Sequence, residues 1–189
     1  MTRVLALDQA TTTGWCCAGT GIALSEWTCG HFRAPKRPFE GQRLIIIHDH
    51  VLVLIDDWKP DVVALEAPFD PTVQDMKAGI ERPQFNRATM QFLQRVKAAV
   101  LMAAARRSIP TEEYQPRTWR ATLKLPQRPP DADSKWLKQQ TVAVIRRLGI
   151  AIKTNDEADA AGIAFHACHG KAGVKRAADD LFARARASL

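Results

Sequence analysis

The sequence has few residues that could cross-link a small chain. Its four cysteines, Cys16, Cys17, Cys29 and Cys168, show no C-x-x-C spacing. Neighbouring residues of a strand point to opposite faces, so Cys16 and Cys17 cannot form a simple chelate together. The pairs His48/His50 and His166/His169 lack a second ligand pair at a spacing typical of zinc. We therefore expect reduced cysteines and neither a disulfide framework nor a structural zinc site.

Long apolar runs and targeting signals are also lacking. The longest apolar stretch, Leu44 to Ile55, is interrupted by His48, Asp49 and His50 and is too short to cross a bilayer. The chain starts directly with a strand-like run and shows no signal-peptide pattern. These features predict an intracellular protein without a membrane span.

The composition is that of a globular protein, but its charge is unevenly distributed. Hydrophobic residues make up 46% and charged residues 25% of the 189 residues, which is enough to form the core of one domain. Residues 82–153 hold 15 Lys and Arg against 4 Asp and Glu, whereas residues 1–81 hold 7 bases and 11 acids. This distribution favours a polyanion-binding surface beside an acidic site. A solvated cationic surface is the alternative interpretation.

The order of the apolar runs predicts an α/β fold with helices flanking a mixed sheet. Strands are predicted at Arg3 to Leu7, Gly14 to Ala18, Ile22 to Trp27, Thr28 to Phe32, Val62 to Leu65 and Ile109 to Tyr114. Helices are predicted at Glu40 to Trp58, Gln84 to Arg107, Ser134 to Leu148 and Asn155 to about His169, with a C-terminal helix from Lys171. The stretches Pro68 to Pro83 and Pro116 to Pro130 are predicted to be loops.

Acidic residues follow two of the predicted strands and open one helix. Asp8 and Glu66 each end an apolar strand, the position at which open α/β sheets place their ligand sites. Asp156 and Asp159 share one face of the first turn of a helix. Gly162 further along that helix predicts close packing against the sheet, which would bring the acidic turn up to the two strand ends. Because crowded carboxylates repel one another, this arrangement favours a site for a pair of Mg²⁺ or Mn²⁺ ions, which would support phosphoryl chemistry.

At these positions the chain resembles the RuvC family of Holliday junction resolvases, especially its phage-type members. The matching segments are Asp8 to Trp15, Val63 to Glu66 and Asp156 to Ala160, and their order and spacing cover most of the chain. One departure is Gln9, where proline is usual in the family. The resemblance implies a single RNase H-like nuclease domain over residues 1–189, with a helical appendage at about 171–189. It also implies a mixed sheet whose first three strands form an antiparallel meander.

The resemblance assigns the metal pair to Asp8, Glu66, Asp156 and Asp159, with Mg²⁺ as the ion and Mn²⁺ as a substitute. Within the last group of acids, Glu157 is an alternative ligand to Asp156 or Asp159. It further implies a homodimer that cuts four-way DNA junctions by paired nicks, in the cytoplasm of a bacterium or a phage-infected host. The candidate DNA contacts are Phe69, Arg117, Arg120, Lys135 and Lys138.

Three alternatives remain open from the sequence. A flap or branched-DNA endonuclease of looser selectivity would carry the same acids. A non-catalytic DNA-binding protein on this fold would be expected to lack one acid, and none is missing. The segment Leu5 to Thr12 also looks like a sugar-kinase phosphate loop, but Ala10 stands where that loop needs glycine, and 189 residues leave no room for the second kinase domain.

Overall fold

The computed structural model describes residues 1–35, 39–67, 87–127, 129, 132–133, 135–171 and 173–176. Its strands are β1 (Arg3–Asp8), β2 (Thr12–Gly19), β3 (Thr28–Arg33), β4 (Val62–Glu66) and β5 (Thr111–Tyr114). Its helices are α1 (Glu40–Trp58), α2 (Arg87–Arg106), α3 (Pro116–Thr122), α4 (Trp136–Arg147) and α5 (Asn155–His169). A short 3₁₀ helix spans Leu24–Glu26.

The five strands form one mixed sheet in the order β3-β2-β1-β4-β5. β1, β2 and β3 pair antiparallel, and β4 is parallel to both β1 and β5. The predicted α/β class and the antiparallel meander of the first three strands are therefore confirmed.

Alternation along the strands divides the core into two layers. In β1, Val4 and Ala6 face one side of the sheet, where they pack with α3, α4 and α5. Leu5 and Leu7 face the other side, where they pack with α1 and α2. Because successive residues of a strand alternate between faces, the next even-numbered residue, Asp8, belongs to the face that α5 covers.

Two predicted elements are wrong. Ile22 to Trp27 is not a strand: it contains the 3₁₀ helix, and the next strand of the chain to pair with β2 is β3. The predicted loop from Pro116 begins with α3, whose first residue is the proline itself. Proline suits the first position of a helix, where its missing N–H would have no partner.

The remaining predicted boundaries agree with the described residues to within a few positions. Gly149 ends α4 in the left-handed region with φ 83°. At the start of α4, Asp133 accepts the backbone N–H groups of Lys135 and Trp136, and the predicted N-cap Ser134 lies outside the described residues. The predicted loop over 68–83, the first three residues of the predicted helix from Gln84, and residues 177–189 of the predicted appendage also lie outside them, whereas residues 173–176 are helical. No helix within the described ranges has the length and apolar character to span a membrane.

Candidate active site

Two carboxylates of the site stand side by side at the end of neighbouring parallel strands. The register pairs Ala6 with Ala64 and Leu7 with Leu65, so Asp8 and Glu66 follow at adjacent positions. Ala64 packs in the layer under α5, and Glu66, two residues on, points to the same face. Both carboxylates are half-buried at the rim of the sheet.

The first turn of α5 brings two further carboxylates to this rim. A glycine makes the close approach possible: a Cβ atom on Gly14 would lie 2.0 Å from the backbone oxygen of Asp156. Gly14 pairs with Asp8 across β1 and β2, so the start of α5 lies directly beside the strand end. The Oγ1 of Thr154 caps the helix by accepting the backbone N–H of Glu157 at 3.2 Å.

The charges of the four carboxylates act on one another. Burial raises the pKa of Asp8 well above its ordinary value, and the negative charges of Asp159, Glu66 and Asp156 raise it further. Burial, with contributions from Glu66 and Asp156, raises the pKa of Asp159 to about 6. The four acids that the sequence singled out therefore form one electrostatic cluster, although they come from three separate parts of the chain.

Hydrogen bonds hold Glu66 on both its side chain and its backbone. The indole Nε1–H of Trp119 donates to Oε2 of Glu66 at 2.9 Å, and the side-chain amide of Gln9 donates to its backbone oxygen at 2.8 Å. Burial raises the pKa of Glu66, while the bond from Trp119 and the nearby Arg120 and Lys138 lower it. Gln9, which departs from the family pattern, thus ties the end of β1 to the end of β4.

Sequence reasoning missed Trp119, which it placed in an irregular surface loop. Trp119 is fully buried, and its ring lies against Gly162 of α5. The predicted close packing at Gly162 is therefore present, but its nearest partner is this indole rather than the sheet. A proline followed three residues later by a tryptophan fits a first helical turn with one buried residue, and this pattern is the signal that could have found it.

Two of the predicted DNA-contact residues lie next to the acids. The positive charges of Arg120 and Lys138 lower the pKa of Glu66 and of Asp159. The Arg120 guanidinium also stacks on the Trp119 ring, 4.7 Å from its centroid. Arg117 lies on α3 and Lys135 directly precedes α4, and both are exposed. Neither is among the residues that shift the pKa values of Asp8, Glu66 and Asp159. Phe69 lies outside the described residues.

Glu157, next to Asp156, faces away from the cluster. It is buried, and its Oε1 lies 2.7 Å from Nδ1 of His31 on β3. Its Oε2 accepts the backbone N–H of Lys153 at 2.5 Å, and these bonds help to lower its pKa although burial opposes them. Glu157 therefore joins α5 to β3 and to the preceding loop, and it has no part in the acidic cluster.

The four carboxylates of the cluster are chemically suited to bind a hard divalent cation. All four groups offer carboxylate oxygens, the ligands that Mg²⁺ and Mn²⁺ prefer. The pKa values of Asp8, Glu66 and Asp159 are raised because the positive charge of nearby Arg and Lys side chains does not fully offset the effect of burial on these carboxylates. Within the described residues, however, no three His, Cys, Asp or Glu side chains converge closely enough to hold a metal ion as they stand. The acids thus form a cluster that a cation would have to draw together.

Comparisons with known proteins agree with the fold. No family model matches the chain. A crossover junction endodeoxyribonuclease RuvC from Corynebacterium diphtheriae is 30% identical over 158 residues, covering 80% of this chain and 82% of that protein. RuvC from Thermomicrobium roseum is 28% identical over 163 residues, covering 86% and 90% of the two chains. Among solved structures, Thermus thermophilus RuvC in complex with a Holliday junction substrate matches with a TM-score of 0.63 at 20% identity, covering 92% of this chain and 97% of the other.

The structural likeness and the sheet topology together define an α/β domain of the RNase H-like class. Sequence identity then narrows the assignment within that class. The chain belongs to the RuvC family of crossover junction endodeoxyribonucleases. This membership favours the nuclease interpretation over the sugar-kinase alternative.

Proposed function

We propose that this chain is a divalent-metal-dependent endonuclease that resolves Holliday junctions by paired phosphodiester hydrolysis. The observation that carries the proposal is the single electrostatic cluster of Asp8, Glu66, Asp156 and Asp159 at the rim of the sheet, in a chain of the RuvC family. A Thermus thermophilus relative of the same fold has been solved with a Holliday junction substrate, which supports the choice of DNA.

The four carboxylates would hold two Mg²⁺ ions, for which Mn²⁺ could substitute. When bound, such a pair supplies an activated water on one side of the scissile phosphate and stabilises the leaving oxygen on the other. The chain's own contribution is to gather the acids at one rim. The adjacent strand ends position Asp8 and Glu66, and the α5 turn packed on Gly14 positions Asp156 and Asp159.

Basic side chains beside the cluster would bind the DNA backbone. Arg120 and Lys138 carry positive charge next to the acids, so they are suited to the phosphates nearest the cut. Arg117 and Lys135, which are exposed on or beside the same helices, would extend this contact along the strand. The resemblance adds Phe69 as an aromatic contact to bases at the crossover. Replacing Phe69 with Ala should therefore slow the cleavage of four-way junctions while changing the free energy of unfolding little.

Paired nicks require two active sites, and we propose that the second comes from another copy of this chain. α1 and α2 leave a cleft of about 440 Å³ on the surface, and two of its lining residues, Ile45 and Met102, are 61% and 62% exposed. Asp49 on one helix and Arg106 on the other also line this cleft. A surface that carries both signs of charge around an apolar centre can pair with itself across a two-fold axis.

The test is a cleavage assay on matched four-way, flap and linear duplex DNA, with and without Mg²⁺. A resolvase should make symmetric paired nicks in the four-way substrate only, and only with the metal. Cleavage of the flap at an equal rate would favour the alternative, a branched-DNA endonuclease of looser selectivity. A lack of cleavage on every substrate, in protein that still binds the junction, would refute both.

A further inference from the structure

The side chain of Trp119, a residue of α3, packs tightly against α5. It is fully buried, and a Cβ atom on Gly162 would lie 2.7 Å from Cζ3 of the indole. Only glycine leaves room for the ring at this point of α5. The indole therefore has little freedom to rotate, and its Nε1–H points in a fixed direction.

That fixed N–H is directed at a carboxylate of the acidic cluster. Nε1 donates to Oε2 of Glu66 at 2.9 Å. An indole N–H can only donate, so Oε2 of Glu66 is the acceptor, and the bond favours the ionised carboxylate by lowering the pKa of Glu66 against the effect of burial. It occupies one oxygen of Glu66 and leaves the other, Oε1, for a further ligand.

We propose that Trp119 is a positioning residue for the metal site: its N–H holds the carboxylate of Glu66 through Oε2 and would leave Oε1 available to the ion. The inference deepens the proposed function and rests on it. Hydrogen bonds that orient a metal-binding group typically change metal affinity or activity by about 10- to 100-fold when they are removed. Trp119 would act through Glu66 and would not itself touch the ion or the DNA.

The variant Trp119→Phe keeps an aromatic ring in the pocket and removes the N–H. We expect the Mg²⁺ concentration for half-maximal junction cleavage to rise about tenfold. The rate at saturating Mg²⁺ and the KM for the junction should stay close to the wild-type values, because the acids and the DNA contacts are intact. A merely structural defect would instead lower the amount of active protein at every Mg²⁺ concentration.

The chain offers a matched control in Trp58. Its Nε1–H also donates to an oxygen, the backbone oxygen of Val4 at 3.1 Å, near the opposite end of β1 from Asp8. Trp58→Phe removes the same kind of bond away from the acids. This variant should show an unchanged dependence of cleavage on Mg²⁺.

A second measurement needs no catalysis. The sequence has five tryptophans, so the 189-residue chain should give five indole N–H resonances in a ¹⁵N–¹H spectrum. The Trp119 resonance is assigned from the Trp119→Phe spectrum or, if that variant does not fold, by elimination with the other four Trp→Phe variants. Added Mg²⁺ should shift this resonance in the wild type, and the shift should be lost in Glu66→Gln.

The outcomes separate this inference from the proposed function. An unchanged half-maximal Mg²⁺ concentration in Trp119→Phe would overturn the positioning role, as would a Trp119 resonance that Mg²⁺ does not move in a wild-type protein that cleaves junctions. If wild-type protein fails to cleave junctions, the proposed function itself is wrong. If Glu66→Gln cleaves them normally, Glu66 is not part of the metal site and the positioning role of Trp119 falls with it.

Discussion

At the scale of single residues, the clearest feature is the contrast between neighbours at the start of α5. Asp156 and Asp159 contribute to the acidic cluster, whereas Glu157 turns to His31 on β3. Three acids within four positions cannot be told apart by composition. Their different roles follow from the helical geometry, which places residues three apart on one face and their neighbours on another.

This contrast predicts the behaviour of Glu157→Gln. The buried side chain links Lys153 to His31, so its replacement should lower the free energy of unfolding by about 1–3 kcal/mol. The dependence of cleavage on Mg²⁺ should not change, because Glu157 faces away from the acids. Urea denaturation measures the first effect and a Mg²⁺ titration of cleavage the second. A large increase in the Mg²⁺ requirement would place Glu157 in the metal site after all.

The raised pKa of Asp159 predicts how stability varies with pH. Its pKa is about 6 in the folded protein, against an ordinary value of 3.8. Between these values the folded chain holds a proton that the unfolded chain releases, so stability falls as the pH rises through this range. Without metal, this group alone should lower the free energy of unfolding by about 2 kcal/mol between about pH 4.5 and about pH 7.5.

Asp159→Asn isolates that contribution, since asparagine does not titrate. Urea denaturation in EDTA at both pH values should show the wild type losing more stability than the variant as the pH rises. Added Mg²⁺ should restore stability to the wild type at the higher pH. An equal pH dependence in the two proteins would contradict the burial of an uncompensated Asp159.

At the scale of elements, the site depends on the contact between β2 and α5. A side chain on Gly14 would meet the backbone of Asp156, which cannot rotate away. Gly14→Ala should therefore cost about 1–3 kcal/mol of stability and, by moving the start of α5, should also strongly reduce cleavage. Gly41→Ala is the matched control, because a Cβ atom there meets nothing within 4 Å. Thermal unfolding and junction cleavage of the two variants test the contact, and wild-type activity in Gly14→Ala would refute it.

Local patterns predicted several elements well. Helices α1 and α5 begin and end where the sequence predicts, and β4 follows from its short apolar run before Glu66. The juxtaposition of Asp8 and Glu66 could be inferred because both end buried strands, provided that the strands are neighbours. That proviso depends on strand order, which is set by packing between distant parts of the chain.

The errors arose where local signals compete with packing. The basic, proline-containing segment from Pro116 resembles a loop, yet α3 forms because its tryptophan finds a complementary position against Gly162. No local pattern could reveal the bond from Trp119 to Glu66, because the two residues are far apart in the sequence and come together only in the fold. The pairing of Glu157 with His31 was hidden for the same reason.

At the scale of the whole molecule, the proposed reaction requires two copies of the chain. If the cleft between α1 and α2 is the interface, Met102→Glu should place a charge in its apolar region and raise the dimer dissociation constant about tenfold or more. Sedimentation velocity over a range of concentrations measures this change. The variant should still bind Mg²⁺ but should lose the pairing of nicks. Val53→Glu, also on an exposed position of α1 but not among the cleft residues, is the control.

The proposed reaction requires the acidic cluster to be the catalytic centre, and a direct test is cleavage of a four-way junction by Asp8→Asn in Mg²⁺. Asn keeps the size of the side chain and removes the charge that the cluster contributes to the metal site. We predict that cleavage is abolished while binding of the junction without metal is nearly unchanged, and that Asp57→Asn, at an exposed position of α1, cleaves like the wild type. Paired nicks made by Asp8→Asn at the wild-type rate would contradict the account.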